Sequence, residues 1–210
     1  MMDQDLLSEL QYALLEPPDG GQSWPSEVWR RDDVLDAVNS ACRQLLRDTE
    51  AQTTRLEQAL PGGSLSVSLP ADWLASVHLV WRVAASNARQ YLCSTDAFEA
   101  DHARPGWEVT QGTPIAYADL DTNTLELRLV PTPNANGFLE HLYVPNPPEV
   151  NGNGSTVGVP DLIVSGVKYG ALATLLRGVN RLGDPERAAY ADERYQITSI
   201  ATTLLLGGGA

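Results

Sequence analysis

The stretch LPGGSLSVSLP, residues 60–70, contains the point at which the periodicity of the chain changes. Before it, apolar residues from Val34 to Leu60 recur at helical spacing, which predicts one long amphipathic helix. Pro61-Gly62-Gly63 would end that helix, because proline cannot continue it and glycine permits a sharp turn. After it, three apolar residues alternate with serines in the pattern of a half-buried strand: Leu65, Val67 and Leu69. The chain is therefore expected to combine helices with β-structure.

Further stretches with a period of two follow this first strand. Apolar and polar residues alternate over Val77–Val83, Leu125–Leu129 and His141–Val144. On these strands His78 and His141 are expected to lie on the polar faces. Short strands at close intervals predict a small antiparallel sandwich or barrel.

Helical patterns occur on both sides of this β-block. The first, Asp3–Leu15, is followed by the Pro- and Gly-rich linker Glu16–Gly21, and the long helix has Ser26 as its expected N-cap. After the block, one helix is expected between Pro160 and Gly183. The dipeptide Asp184-Pro185 would start the last helix, since Asp is a good N-cap and Pro suits the first helical position.

The order of these elements predicts an α+β fold, a helical bundle from both chain ends with an inserted antiparallel β-sandwich or barrel domain. The segment Asn146–Gly158 is a flexible connector by composition. The expected boundaries are an N-terminal helix and linker at 1–25, the helical bundle at 26–62 and 159–206, the inserted β-domain with its connector at 63–158, and a mobile C-terminal tip at 207–210.

The charge of the chain limits the partners it can bind. It has 14 basic against 27 acidic residues, a net charge of −13, and Lys168 is the single lysine beside the arginines. An acidic chain is a poor ligand for nucleic acid, because binding phosphates means neutralising them with basic side chains. The same reasoning argues against an anionic membrane surface. Asp3, Asp5 and Glu9 stand where a signal peptide would be positively charged, so we expect a protein that is made in the cytoplasm and enters no membrane.

Candidate chemical sites in the sequence are few. Gly152–Gly158 is similar to a dinucleotide fingerprint, but its third glycine comes one residue late and no βαβ unit surrounds it, which favours a mobile loop. Cys42 and Cys93 show neither a disulfide framework nor metal spacing. We expect no enzyme activity and no cofactor or metal. The best metal candidate is a group that equally suits an ordinary helix start: Asp96, Glu99, Asp101 and His102.

Two features of the sequence suggest contact with other proteins. Trp24 lies in a segment rich in Pro and Gly and is a candidate interface anchor. The run Leu204, Leu205 and Leu206 precedes a glycine-rich tip, and its apolar side chains would be stabilised by burial against another surface. It is therefore a candidate docking tail.

Four parts of the sequence carry a family resemblance. They are Trp29 with Val34–Asn39, Gly63 with Leu69–Leu74 and Val77, Leu127–Pro133, and Asp184–Tyr190. Together, from about Ser26 to Leu206, they resemble the head-to-tail adaptor (connector) proteins of tailed bacteriophages. The resemblance implies a helical bundle with an inserted β-sandwich. It also implies a ring beneath the portal, usually of twelve copies, that extends the DNA channel towards the tail.

The resemblance further implies a structural virion protein of the neck, between the capsid portal and the tail. Its partners would be the portal protein, a tail or second neck protein, and copies of itself in a 12-mer ring, with no membrane involved. DNA would pass through without specific binding, and an acidic lumen would suit this because like charges keep the duplex from sticking. The open alternatives are a tail-completion or tail-tube protein, a small metal-dependent enzyme using the group near Asp96, and a binding module without a ring.

Overall fold

The computed structural model of the chain describes residues 1–14, 29–119, 125–177 and 184–207. In these residues the helices are α1 (Asp3–Ala13), α2 (Arg31–Thr49), α3 (Ala97–Ala103), α4 (Val164–Arg177) and α5 (Pro185–Gly207). The strands are β1 (Thr54–Leu60), β2 (Ser66–Ser68), β3 (Trp73–Val83), β4 (Arg89–Thr95), β5 (Gln111–Gly112), β6 (Ala116–Asp119), β7 (Glu126–Val130), β8 (Thr132–Pro133) and β9 (Gly137–Pro145). Several expectations concern residues outside the described ranges: Trp24, the Ser26 cap, the linker 16–21, Gly183 and the tip residues 208–210.

The chain divides into two compact units. Met1–Gln52 and Asn146–Ala210 form a helical unit, and Thr53–Pro145 form a β unit that includes α3. The predicted α+β class, with helices at both chain ends around a β-structure, is confirmed.

The long helix predicted as far as Leu60 is wrong in its second part. Helix α2 ends at Thr49, Glu50 adopts the left-handed conformation at φ 50°, and β1 begins at Thr54. The apolar spacing misled the prediction, because side chains four residues apart share a face in a helix and also in a strand. Leu56 and Leu60 are four apart and therefore could not distinguish the two structures.

Helix α4 is the central element of the helical unit, with apolar residues on almost all sides. It packs against both α2 and α5, and two glycines one turn apart allow the close approach. A Cβ atom on Gly166 would lie 2.8 Å from Leu45 Cδ2 of α2, and one on Gly170 would lie 3.0 Å from Tyr195 Cδ2 of α5. Side chains at these positions would push the three helices apart.

Helix α5 is held at its start and in its middle. Asp184 is its N-cap, as predicted, and accepts a hydrogen bond from the Arg187 backbone N–H at 3.0 Å. The buried Tyr195 donates its hydroxyl to Asp48 Oδ2 of α2 at 2.5 Å. Burial, and then the hydrogen bond to Asp48, raises the pKa of Tyr195, so this hydrogen bond keeps its proton on the tyrosine across the physiological range.

The Asn- and Gly-rich segment expected to be a flexible connector is bound to α1. Asp3 is fully buried and its carboxylate accepts hydrogen bonds from the backbone N–H groups of Gly152 and Gly154, each at 2.9 Å. The Ser155 hydroxyl donates to the same carboxylate at 3.1 Å. Both glycines have positive φ, which turns their N–H groups towards one point. The segment thus forms an anion-binding turn that is occupied by a carboxylate of its own chain.

The β unit contains a seven-stranded sheet in the order β1-β9-β3-β4-β6-β7-β2 and a two-stranded sheet of β5 and β8. Strand β4 joins the two halves of the larger sheet. Its first part, Arg89–Leu92, pairs antiparallel with β3, and its second part, Cys93–Thr95, pairs parallel with β6. The other pairs described in this sheet are antiparallel, so the sheet is mixed, and it curls into a half-barrel.

The core of the β unit draws on both halves of this sheet. Each large apolar side chain that it buries stabilises the fold by roughly 1.5–3 kcal/mol. The strands predicted around Val67, Leu79, Leu127 and Tyr143 are all present. The core residues are Leu60, Val67, Leu79, Trp81, Leu92, Tyr117, Leu127, Leu129 and Leu139.

Gly137 is the first residue of β9 and is paired with Val83 and Leu60 of its two neighbouring strands. A Cβ atom here would lie 2.4 Å from Trp81 Cζ2 and 2.6 Å from the carbonyl oxygen of Arg82. Only glycine therefore lets β9 approach β3 beside the indole.

Substitution Gly137→Ala is expected to lower the free energy of unfolding of the β unit by roughly 1–3 kcal/mol, because the added methyl group displaces packed atoms. Urea unfolding followed by tryptophan fluorescence measures this change. Ser66→Ala, at an exposed position of β2, is the control and should stay within about 0.5 kcal/mol of the wild type. An unchanged midpoint for Gly137→Ala would contradict the close approach.

Substitution Asp3→Ala is expected to destabilise the helical unit by roughly 1–3 kcal/mol, because the N–H groups of Gly152 and Gly154 lose their acceptor. Thermal unfolding followed by circular dichroism measures the loss, and hydrogen exchange at the two glycine amides should become faster. Asp5→Ala, in the same helical turn but exposed, is the matched control. Equal effects of the two substitutions would show that the bound carboxylate is not responsible.

Candidate functional site

Helix α5 presents different surfaces on two opposite faces. Because α-helices have 3.6 residues per turn, residues spaced by three, four or seven positions fall on one side. One side is buried within the helical unit and consists of Ala188, Ala191, Tyr195, Ser199 and Thr202. The opposite side is exposed, and Glu193 lies on it among four large side chains: Tyr190, Ile197, Ile200 and Leu204.

The exposed side becomes most apolar at the C-terminal end of α5. Leu204 on this side is 72% exposed and Leu205 beside it is 68% exposed, while Leu206, four residues after the buried Thr202, is 49% exposed. The helix continues to Gly207, so the leucine run predicted to be a docking tail is already helical. No charged residue occurs between Tyr195 and Gly207. We call the side chains of Ile197, Ile200, Leu204 and Leu205 the α5 stripe; docking by the leucine run stays a prediction.

The other end of this exposed side is occupied by contacts within the helical unit. The Tyr190 ring meets Tyr169 of α4 edge to face, with 6.4 Å between ring centroids, and Arg194 donates to the Tyr190 hydroxyl at 3.0 Å. The α5 stripe is therefore the part that has room for a partner. In the described part of the chain, no helix is both long and apolar enough to cross a membrane.

The four residues considered for a metal have other contacts. Asp96 is the N-cap of α3 and accepts a hydrogen bond from the Glu99 backbone N–H at 2.7 Å. Asp101 accepts a hydrogen bond from the indole N–H of the buried Trp107 at 2.8 Å, and His102 stacks on a phenylalanine ring. Among the residues described, no three His, Cys, Asp or Glu side chains are placed to share an ion. The helix-start interpretation of Asp96 is correct.

A charged cluster lies on the outer face of the strands β1, β9, β3 and β4. Glu140 Oε2 lies 2.6 Å from Arg55 Nη2 and 2.5 Å from Arg89 Nη2, while Oε1 lies 3.0 Å from Arg82 Nε. Arg82 also contacts Glu57 at 2.8 Å. The hydrogen bonds from Arg89 and Arg82 outweigh the burial of the carboxyl and lower the pKa of Glu140 to about 2. Glu140 therefore stays ionised at all physiological pH values.

Sequence reasoning missed this cluster, because its members come from four strands and no local spacing connects them. Arg55 and Glu140, for example, are 85 positions apart. The one local signal is a glutamate in the middle of an otherwise largely apolar strand, Gly137–Pro145. A carboxylate in such a place needs cationic partners, but the sequence does not show which arginines supply them.

His141 lies on the inner face of the sheet, which corrects the expectation of a polar face. It is two residues from the core residue Leu139 and is 3% exposed. Its Nε2 lies 3.0 Å from Ser76 Oγ, and burial, followed by the charge of His78, lowers the pKa of His141 to about 4. An imidazole with this pKa is a weak base at neutral pH, so the Ser–His pair is poorly suited to nucleophilic catalysis. His78 is exposed, as predicted.

The two cysteines differ in environment. Cys42 is buried on α2, and burial raises the pKa of its thiol to about 12. A thiolate is the reactive form of cysteine, so Cys42 is not a nucleophile at neutral pH. Cys93 is exposed on β4 and is a free thiol.

A protein-family model matches the chain over most of its length. This model, described as SU10 adaptor protein, matches residues 4–204. The match includes α1, which lies outside the stretch that carried the resemblance seen in the sequence. No curated protein matches the chain.

Acidification is expected to destabilise the β unit in two steps. The pKa of His141 is about 4 in the folded chain against 6.5 normally, so the unfolded chain gains the proton first and stability falls by about 2–3 kcal/mol between pH 6.5 and 4. The pKa of Glu140 is about 2 against 4.5, so the stability it contributes above pH 4.5 is lost between pH 4.5 and 2.

Urea midpoints measured at a series of pH values between 7.5 and 3 test this expectation. His141→Gln should flatten the dependence between pH 6.5 and 4.5 and leave the lower step in place. His102→Gln, at an exposed position, is the control. A His141→Gln variant with the wild-type slope in the upper range would refute the assignment.

Proposed function

The chain belongs to the SU10 adaptor protein family, a family of phage structural adaptor proteins, and on this premise we propose that it is the head-to-tail adaptor of a tailed bacteriophage. Copies of it, twelve in the usual arrangement, form a ring beneath the portal in the virion neck. The ring joins the portal to a tail protein or a second neck protein and extends the DNA channel.

The single observation within the chain that carries this proposal furthest is the α5 stripe. It offers Ile197, Ile200 and Leu204 at the spacing by which one helix packs onto an apolar groove. Burying one exposed leucine side chain in a contact contributes roughly 1.5–3 kcal/mol to the free energy of binding. Because α5 is already helical, little conformational entropy is lost on docking. We assign this stripe to contact with the portal.

The net charge of −13 supports passage of DNA without binding. Phosphates are held by cationic side chains, and the chain has 14 of these against 27 acidic ones. A ring of such subunits repels the duplex and leaves it free to slide.

The family match favours an adaptor over the alternatives that the sequence left open. Members of a structural adaptor family are generally not enzymes. The metal-dependent enzyme also loses its candidate site, since Asp96, Glu99 and Asp101 serve local hydrogen bonds. A tail-tube or tail-completion protein has no observation in its favour in the described residues.

Substitution of Leu204 and Leu205 by Asp is expected to weaken attachment to the portal by roughly tenfold or more, because two charges replace side chains that dock on an apolar surface. Binding to purified portal rings and attachment of tails to DNA-filled heads measure the effect. Phe98→Asp is the control, since Phe98 is exposed on α3 and is outside the stripe. Undiminished attachment of the Leu204/Leu205 variant, with helicity unchanged, would disprove the assignment.

A further inference from the structure

A groove of about 300 Å³ lies on the outer face of the β unit, above the Glu140 cluster. It is lined by the buried Val80 and the partly exposed Leu142, and the exposed ring of Tyr91 adds an aromatic surface. Two guanidinium groups, of Arg55 and Arg89, line it as well. The groove therefore offers apolar contact together with positive charge, within a chain that is otherwise acidic.

The two guanidinium groups keep donors free for a ligand. Arg55 and Arg89 each place one nitrogen, Nη2, on Glu140, and their side chains are 61% and 54% exposed. A guanidinium has five N–H donors, so most of them remain available. With Arg82 the cluster holds three cations against the carboxylates of Glu140 and Glu57. The cluster thus retains a positive charge and is rigidly positioned by the buried carboxylate.

This combination fits a carboxylate-bearing protein segment better than a nucleic acid. Guanidinium groups bind carboxylates through two parallel hydrogen bonds. Tyr91 is 67% exposed and Leu142 is partly exposed, so side chains of a protein segment can cover them, whereas a phosphate backbone would leave them in contact with water. The net charge of −13 also repels a duplex.

A face with the complementary charge is present on the chain itself. Asp32, Asp33 and Asp36 are exposed on the first two turns of α2, and within the described ranges no cation pairs with them. Arg31 is directed away, because its guanidinium donates to the backbone carbonyls of the glycine-rich segment. Arg30 precedes the face at the N-cap and is exposed. We call Asp32, Asp33 and Asp36 the α2 acidic face.

We propose that the groove of one copy binds the α2 acidic face of the neighbouring copy. This inference rests on the proposed ring, since a cyclic assembly needs two different, complementary patches on each subunit. Arg55 and Arg89 bind the carboxylates of Asp33 and Asp36, and the adjoining side chains cover the apolar part of the groove. The subunits repel each other through their net negative charge, but the groove and the α2 acidic face carry opposite charges. Their attraction therefore favours one relative orientation of neighbouring copies.

Two charge-changing variants of the full chain test the pairing. His78→Glu with Tyr91→Glu places carboxylates at two exposed positions of the groove and keeps all three arginines on Glu140. Asp33→Lys with Asp36→Lys reverses the α2 acidic face. Each variant alone is expected to weaken self-association by roughly tenfold or more, measured by sedimentation of the protein alone and on purified portal rings.

Matched controls carry the same change of charge elsewhere. Asp5→Lys with Glu186→Lys changes two exposed carboxylates of the helical unit, and Phe98→Glu with Val109→Glu adds two carboxylates to the β unit. Both controls should self-associate as the wild type does. Far-ultraviolet circular dichroism establishes that all four variants are folded.

An equimolar mixture of the groove variant and the α2-face variant supplies the decisive measurement. Each then offers the other a compatible partner, so the mixture should recover association that neither variant shows alone. Wild-type association in both single variants, or a mixture of folded variants that fails to recover, would overturn the pairing. Loss of binding to a short DNA duplex in the groove variant, with self-association unchanged, would also overturn it in favour of a nucleic-acid ligand.

The same measurements separate this inference from the proposed function. If the wild-type chain associates but the variants do so equally well, only the groove assignment is wrong. If wild-type copies never associate, alone or on portal rings, the adaptor ring itself is wrong.

Discussion

The close packing of α4 between α2 and α5 is the constraint on which the helical unit depends. It is possible only because Gly166 and Gly170 carry no side chains where α4 meets Leu45 and Tyr195. Helix α2 precedes the β unit in the sequence and α5 follows it, so this contact brings together the two ends of the chain. It also determines which side of α5 is buried, and thereby leaves the α5 stripe exposed on the opposite side.

The glycine-rich segment shows how one local geometry serves different purposes. Glycines with positive φ at positions 152 and 154 turn two N–H groups towards one anion, which is how phosphate-binding loops work. Here the anion is the buried carboxylate of Asp3, so the turn closes the fold and holds α1 in place. The segment that composition predicts to be a flexible connector is thus held by three hydrogen bonds to Asp3.

The net charge of −13 conceals a difference between the whole chain and one local site. Over long distances it repels other polyanions, as the proposed DNA channel requires. At short range, Glu140 gathers Arg55, Arg82 and Arg89 on one face of the sheet and creates a local positive site. Buried and partly buried pairs are screened less than exposed charges, so the local site keeps its character at physiological salt.

The sequence by itself determined the α+β class, the strands around Val67 and Leu127, and the start of α5 at Asp184, because periodicity and capping depend on neighbouring residues. It also carried the family resemblance and the exposed leucines. Only the tertiary structure decided that α2 stops at Thr49, that Asp3 holds the glycine-rich segment and that Glu140 meets three arginines. The contacts of Asp3 and Glu140 join residues far apart in the chain, and no local pattern encodes which distant groups will meet. The end of α2 was ambiguous because Leu56 and Leu60 fit a helix and a strand equally well.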